Sequence, residues 1–201
     1  MIDRKQVIRD MARVVEGVQG NQDGVIPAFN VFVQQLPIGF WNGFSERLTR
    51  TVPKDLQESA EWLLVNAARE CGYHTGYGII TSDEWNAVVQ PMVEGPEDTL
   101  RGAFAVLTAW GWAKADIIEL TPGESMTVRA YDYYESDVVE YGASTKLSAY
   151  MLRGICGAFM DLAYGGPYDP TGASGMGTYT CVQTKGIECG DDYGEFVVSR
   201  A

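Results

Sequence analysis

The sequence predicts an α+β fold: an antiparallel sheet of about four strands, laid down as hairpin–helix–hairpin, packed against helices and preceded by an N-terminal helical extension. Three observations carry this reading. Thr121-Pro122-Gly123-Glu124 is a type II turn signal between two β-prone runs, Ala115–Leu120 and Met126–Tyr133. Gly190-Asp191-Asp192 supplies turn chemistry ahead of Glu195-Phe196-Val197-Val198, so the C-terminal residues Gln183–Ala201 read as a second hairpin. Between the hairpins, Leu147, Met151, Leu152, Ile155, Phe159, Leu162 and Ala163 recur at helical intervals, which predicts one long helix over 144–164.

The remaining elements follow in chain order. Val7, Ile8, Met11, Val14 and Val15 predict an amphipathic helix over 3–18, and Gly17, Gly20 and Gly24 end it. Pro27, Pro37 and Gly39 then punctuate an aromatic segment (Phe29, Phe32, Phe40, Trp41, Phe44) expected to pack on the domain or on a second copy of the chain. Pro53 suits the first turn of a helix to about Tyr73, whose buried face carries Leu56, Ala60, Leu63, Leu64, Ala67, Ala68 and Cys71. Residues 72–78, with three glycines and the chain's single histidine, His74, read as a bend. Thr81 and Glu84 form a capping box for a helix to about Met92, and Pro96 and Glu97 open another through Trp110. A thirteen-residue glycine-rich loop, 165–177, precedes the strand Thr178–Lys185. Residues 1–50 are thus an extension and 51–201 the domain.

Composition narrows the function classes. Twenty-seven acidic against fifteen basic residues give a net charge of −12, which disfavours nucleic acid and anionic membrane surfaces, since both are gripped by clustered Lys and Arg. No apolar run approaches the roughly 20 residues of a membrane span, and the charged, periodic N-terminus lacks a signal peptide's apolar core, so a cytoplasmic protein is expected. The four cysteines, 71, 156, 181 and 189, include no C-x-x-C pair and are expected reduced and mostly buried. Cys189 beside a turn and Cys181 well inside a strand are not assigned a shared metal. No Walker, G-x-G-x-x-G, H-E-x-x-H or G-x-S-x-G pattern occurs, so neither nucleotide nor cofactor is assigned.

The C-terminal stretch QTKGIECGDDYGEFVVSRA and the earlier WGWAKADIIELTPGESMTVRAYDYYES resemble the closing signature and first hairpin of the 4-vinyl-reductase-like, hydrocarbon-binding domain family, over roughly residues 55–201. The resemblance implies a pocket between sheet and helices for a small apolar or aromatic molecule; relatives include sensor modules for aromatic compounds and a protein of bacteriochlorophyll synthesis. In metal-containing members an acidic residue and two cysteines of this signature, with an upstream ligand, hold zinc. Here those positions fall on Gln183, Gly186 and Gly194. Glycine donates nothing and a neutral amide is a poor zinc ligand, so no metal is expected at that place.

The ligand-facing set expected from this is His74, Tyr77, Trp110, Trp112, Tyr131, Tyr133, Cys156 and Phe159. Strand alternation puts Tyr131 and Tyr133 on one face and Asp132 and Tyr134 on the other. His74 is the candidate to hydrogen-bond a polar group of the ligand. Asp161, on an otherwise apolar helix, fits a solvated face as well as a site. Two alternatives stand beside the binding reading. Cys71 and His74, three apart, suit a nucleophile and base of a hydrolase or isomerase acting on a small heterocyclic or aromatic substrate. A structural subunit would use the aromatic segment 25–44 as its docking surface, and a homodimer is the expected assembly.

Overall fold

The computed structural model describes residues 1–34, 37–138 and 142–201. The fold is α+β, as the hairpin–helix–hairpin pattern predicts. Six helices are described: α1 (Arg4–Glu16), α2 (Ile38–Thr51), α3 (Gln57–Ile80), α4 (Asp83–Val88), α5 (Pro96–Ala109) and α6 (Tyr150–Tyr164). A small hairpin, β1 (Ile26–Ala28) with β2 (Val31–Val33), follows α1. The main sheet comprises β3 (Ala113–Thr121), β4 (Ser125–Tyr133), β5 (Tyr179–Lys185) and β6 (Gly194–Arg200) in the antiparallel order β3-β4-β6-β5.

Turn chemistry sets both main hairpins. Gly123 has a φ of 74°, the value position i+2 of a type II turn needs, and the Glu124 amide donates to the Thr121 carbonyl. At the second hairpin Gly190 takes a left-handed φ of 95° at the end of a 3₁₀ turn, Ile187–Cys189. One sheet face is apolar: Ala115, Ile117, Met126, Val128, Ala130, Tyr179, Cys181, Phe196 and Val198 pack under Leu100, Phe104 and Leu107 of α5 and Leu152, Ile155 and Phe159 of α6. The alternate residues, Arg129, Tyr131, Val182 and Glu195 among them, look away from that core. Each large apolar side chain buried this way contributes roughly 1.5–3 kcal/mol before entropy is charged against it.

A second core joins the extension to the helices: Val7 and Met11 of α1 and Phe29 of the small hairpin's turn bury against Ile79, Trp85, Val89 and Val106. Arg4 fastens the same helix, donating to Thr108 Oγ1 at 3.0 Å and to the Ala115 carbonyl. On α2, by contrast, Phe40 and Phe44 stay 52% and 46% exposed.

Four local readings change. The predicted bend at 72–78 is helical, and α3 continues to Ile80. Its glycines are there for close approach: a Cβ on Gly72 would lie 3.2 Å from Ala158 Cβ, and one on Gly76 would lie 2.6 Å from Leu162 Cδ1, both on α6. Packing against α6 offsets the roughly 1 kcal/mol per glycine lost in helix propensity. The long helix starts at Tyr150, not 144, because the amides of Ser148 and Ala149 are drawn instead to Glu188 and Gln183. Ser82, one residue after the expected Thr81, caps α4 by accepting from the Trp85 amide at 3.1 Å. Finally, the β3–β4 register slips between Ala113 and Ala115, opposite residues 130–133. That bulge breaks strict alternation, so Tyr133 is buried while Tyr131 is 49% exposed.

Candidate functional site

Helices α3, α5 and α6 leave a groove between them. Gly154 of α6 sits against Ala68 of α3, Gly72 against Ile155 and Ala158, and Gly76 against Phe159 and Leu162, so α3 and α6 run in the same direction with little space between their backbones. Helix α5 closes the third side, presenting Val106, Leu107 and Ala103, with Trp110 at its C-terminal end. The groove holds two chambers. The larger, about 40 Å³, is walled by Cys71, Thr75, Trp110, Trp112, Met151 and Ile155. The smaller, about 10 Å³, lies further along the same helices at Ile80, Thr99, Leu100, Leu162 and Ala163. Gly76, Ile79 and Phe159 belong to both. At roughly 10–15 Å³ per water on this measure the spaces are small as they stand.

The lining is almost wholly apolar, which gives a buried polar atom on it weight. The Trp110 indole Nε1 is buried and has no hydrogen-bond partner among the described residues; its ring packs edge-on to Phe29 at 4.9 Å. Beside the groove, though not among its lining residues, the Tyr134 hydroxyl is also buried and without a hydrogen-bond partner among the described residues, its ring 6.2 Å from Trp112. Burial, followed by the nearby Glu135 and Cys71, holds that phenol far above a tyrosine's usual pKa, so it stays protonated. Each such orphan costs about 1–3 kcal/mol in the free protein, and most buried polar groups in folded proteins avoid that cost.

The 3₁₀ turn Tyr134–Ser136 ties this corner together. Glu135 accepts from the amides of Met151 at 2.8 Å and Leu152 at 3.0 Å, capping the start of α6. Burial raises its pKa to about 8, against the pull of those two bonds. The Tyr134 carbonyl accepts from Asn42 of α2 at 2.7 Å.

The sequence-derived candidates fall into three places. Trp110, Trp112, Phe159 and Cys71 line the groove. His74 and Tyr77 face the glycine-rich loop instead: His74 Nδ1 lies 2.9 Å from the Tyr168 hydroxyl, and Tyr168 stacks on Tyr77 at 3.6 Å with planes 3° apart. Tyr73 completes the latch by accepting from the Asp169 amide. Cys71 Sγ is 3.8 Å from Thr75 Oγ1, and the described hydrogen bonds pair Cys71 with Thr75 and His74 with Tyr168, not with each other. Tyr133 and Cys156 are buried in the sheet core, the latter hydrogen-bonded to Cys181, while Tyr131 is on the far face of the sheet. Asp161 is not on a solvated face; it is fully buried, accepts from Gly177 and Tyr179 amides at 2.9 and 3.0 Å, and lies 3.7 Å from Arg69. Reading residues 72–78 as a bend concealed Thr75, Gly76 and Ile79 as wall residues; continuing the helical spacing from Ala68 and Cys71 through Thr75 and Ile79 would have found them.

The residues at the three positions where the resemblance puts zinc ligands do not fit a metal. Gln183 spends its amide on hydrogen bonds from the Ala149 amide and to the Lys185 carbonyl and Glu188 Oε1. A Cβ on Gly186 would meet the Glu188 carboxylate at 2.7 Å, and one on Gly194 the Tyr133 ring at 2.7 Å. Glu188 also accepts from the Tyr133 hydroxyl and the Ser148 amide, so a hydrogen-bonded cluster fills this corner. Among the described residues no group of three or more His, Cys, Asp or Glu side chains is arranged to hold a metal ion.

No family model matches the chain, and no curated protein does. Among solved structures, it is similar to the crystal structure of the phenol-responsive sensory domain of the transcription activator PoxR with phenol. The likeness covers 100% of this chain and 91% of that one, at 12% identity and a TM-score of 0.72. It is a likeness of fold. No helix among the described residues is long and apolar enough to cross a membrane.

Proposed function

We propose that this chain binds a small, largely apolar molecule carrying one oxygen function, phenol being the simplest member, in the groove between α3, α5 and α6. In this reading it is a sensory or carrier-type domain of the 4-vinyl-reductase-like, hydrocarbon-binding kind, cytoplasmic and without that family's zinc. The observation that carries the reading is the Trp110 Nε1 donor, buried on an otherwise apolar wall with nothing among the described residues to accept its hydrogen. A ligand oxygen there completes the bond and removes the desolvation cost the free protein bears. The rest of the ring is held by burial, at about 25 cal/mol per Å² of apolar surface. A sensory domain of the same fold is solved with phenol, which agrees with this reading.

The enzyme alternative rests on Cys71 and His74 acting together, and their separate partners, Thr75 and Tyr168, favour binding over catalysis. The net charge of −12 disfavours nucleic acid as the partner. A homodimer would pair through the exposed Phe40 and Phe44 of α2 with Trp62 and Leu63 of α3, beyond the domain's own core. Calorimetric titration with phenol tests the central proposal. A saturable one-site isotherm with a matching rise in melting temperature is expected; no saturable binding by phenol or any other single-ring oxygenated compound refutes it.

A further inference from the structure

An indole N–H that donates is held in place by its acceptor. Trp85, in the second core, gives its Nε1 hydrogen to Gln90 Oε1 at 3.2 Å. Trp110 has no such tether among the described residues. It also stands at the very end of α5, where Gly111 leaves the helix with a φ of 75°. Packing is left to fix the plane of its ring, and the aromatic side chain that packs on it is Phe29, edge-on with planes 61° apart.

Phe29 comes from the N-terminal extension, and the backbone is bent to deliver it. Ala28 pairs with Val31 across the small hairpin, so Phe29 and Asn30 form a two-residue turn with φ values of 52° and 58°. Such a turn favours Asn-Gly; a phenylalanine in the left-handed region is an outlier that persists only where its surroundings hold it. Here three contacts do. The ring is 1% exposed among Ile79, Trp85 and Val106. Asn30 Nδ2 donates to the Thr81 carbonyl at 3.0 Å. Gly78 of α3 gives the turn room, since a Cβ on it would stand 2.9 Å from the Phe29 carbonyl. Phe29 itself is not among the residues that line the groove.

Resting on the binding reading above, we infer that Phe29 is a positioning residue: the strained turn 28–31 sets its ring against Trp110 and so keeps the indole Nε1 on the groove wall. Residues 26–33 of the extension are then part of the site. A leucine at 29 keeps the core apolar but removes the flat ring edge, so the indole is free to turn and a ligand oxygen meets its donor for only part of the time.

The test titrates phenol and toluene calorimetrically into the full-length wild type, Phe29→Leu, Phe29→Tyr, Trp110→Phe and the double variant Phe29→Leu/Trp110→Phe, with thermal unfolding alongside. Phe29→Leu is expected to lower the phenol-to-toluene affinity ratio at least about twofold, the low end of one lost hydrogen bond. Phe29→Tyr keeps the ring and is expected to keep the ratio. In the Trp110→Phe background Phe29→Leu is expected to leave the ratio unchanged, because the donor it positions is gone. Should Phe29→Leu fail to fold, Phe29→Met, longer and more adaptable in a core, carries the same comparisons. A lower melting temperature with an unchanged ratio, a ratio lost equally in Phe29→Tyr, or losses that add in the double variant would reduce Phe29 to core packing and overturn the inference, leaving the binding site standing. No saturable phenol binding by the wild type overturns the functional reading itself.

Discussion

Replacing Trp110 by Phe separates a hydrogen-bonding role from mere packing, because the wild-type donor is unsatisfied in the free protein. The variant deletes a buried N–H that costs about 1–3 kcal/mol when unpaired. It also deletes part of an aromatic surface that packs edge-on to Phe29, a loss of similar size. These contributions oppose one another, so the melting temperature of the free protein is expected to move by only a few degrees, at roughly 2–4 °C per kcal/mol for a chain of this size. The ligand complex has no such compensation. There the variant loses a made hydrogen bond worth about 0.5–1.5 kcal/mol, which lowers phenol affinity by about two- to thirteenfold. Toluene, with the same ring and no oxygen, gains nothing from the indole N–H and is expected to bind both proteins alike. The assay is calorimetric titration of both compounds into both proteins, with thermal unfolding alongside. Equal losses for phenol and toluene would reduce Trp110 to packing, and an unchanged phenol affinity would refute the reasoning outright.

Three further outcomes are expected. Burial raises the folded-state pKa of Glu135 from 4.5 to about 8, so between those values the folded protein binds the proton that the unfolded chain has lost; stability contributed by the protonated form is expected to fade as pH rises from about 5 to 8, and Glu135→Gln to flatten that slope in thermal unfolding. Gly154→Val places a branched side chain where a Cβ alone would stand 2.6 Å from Ala68 and against the Val65 carbonyl, so it is expected to cost more than about 2 kcal/mol by denaturant unfolding and to weaken ligand binding by prising α3 from α6. Tyr168→Phe removes the hydroxyl that meets His74, and faster amide hydrogen exchange across residues 165–177 is expected, with phenol affinity held within about twofold.

The fold was legible because its strongest signals are local. Thr121-Pro122-Gly123-Glu124 and Gly190-Asp191 dictate turns whatever surrounds them, and the apolar spacing of 151–163 belongs to one element. The errors came where a distant partner overrides local preference. Three glycines in residues 72–78 argue for a bend until α6 and the small hairpin are brought against them; a Cβ on Gly78 would stand 2.9 Å from the Phe29 carbonyl, a contact no spacing rule shows. Likewise 144–149 has helical apolar spacing, but its amides are claimed by Gln183 and Glu188 from the second hairpin. Of the site, Trp110, Trp112 and Phe159 were readable as aromatics near a sheet–helix pocket. Tyr134 was assigned away from Tyr133 by strict alternation, and the bulge between Ala130 and Tyr133 decides where the aromatics of this strand end up.

The most direct measurement of the central claim is the tryptophan indole region of a ¹H–¹⁵N correlation spectrum during a phenol titration. The chain has five tryptophans, at 41, 62, 85, 110 and 112, hence five indole N–H signals, and Trp110→Phe assigns the one in question. The account requires the Trp110 signal to move downfield and saturate with phenol, while the signal of Trp85, already donating to Gln90 Oε1 at 3.2 Å, stays where it is. A Trp110 signal that remains in place while phenol binds elsewhere would contradict it.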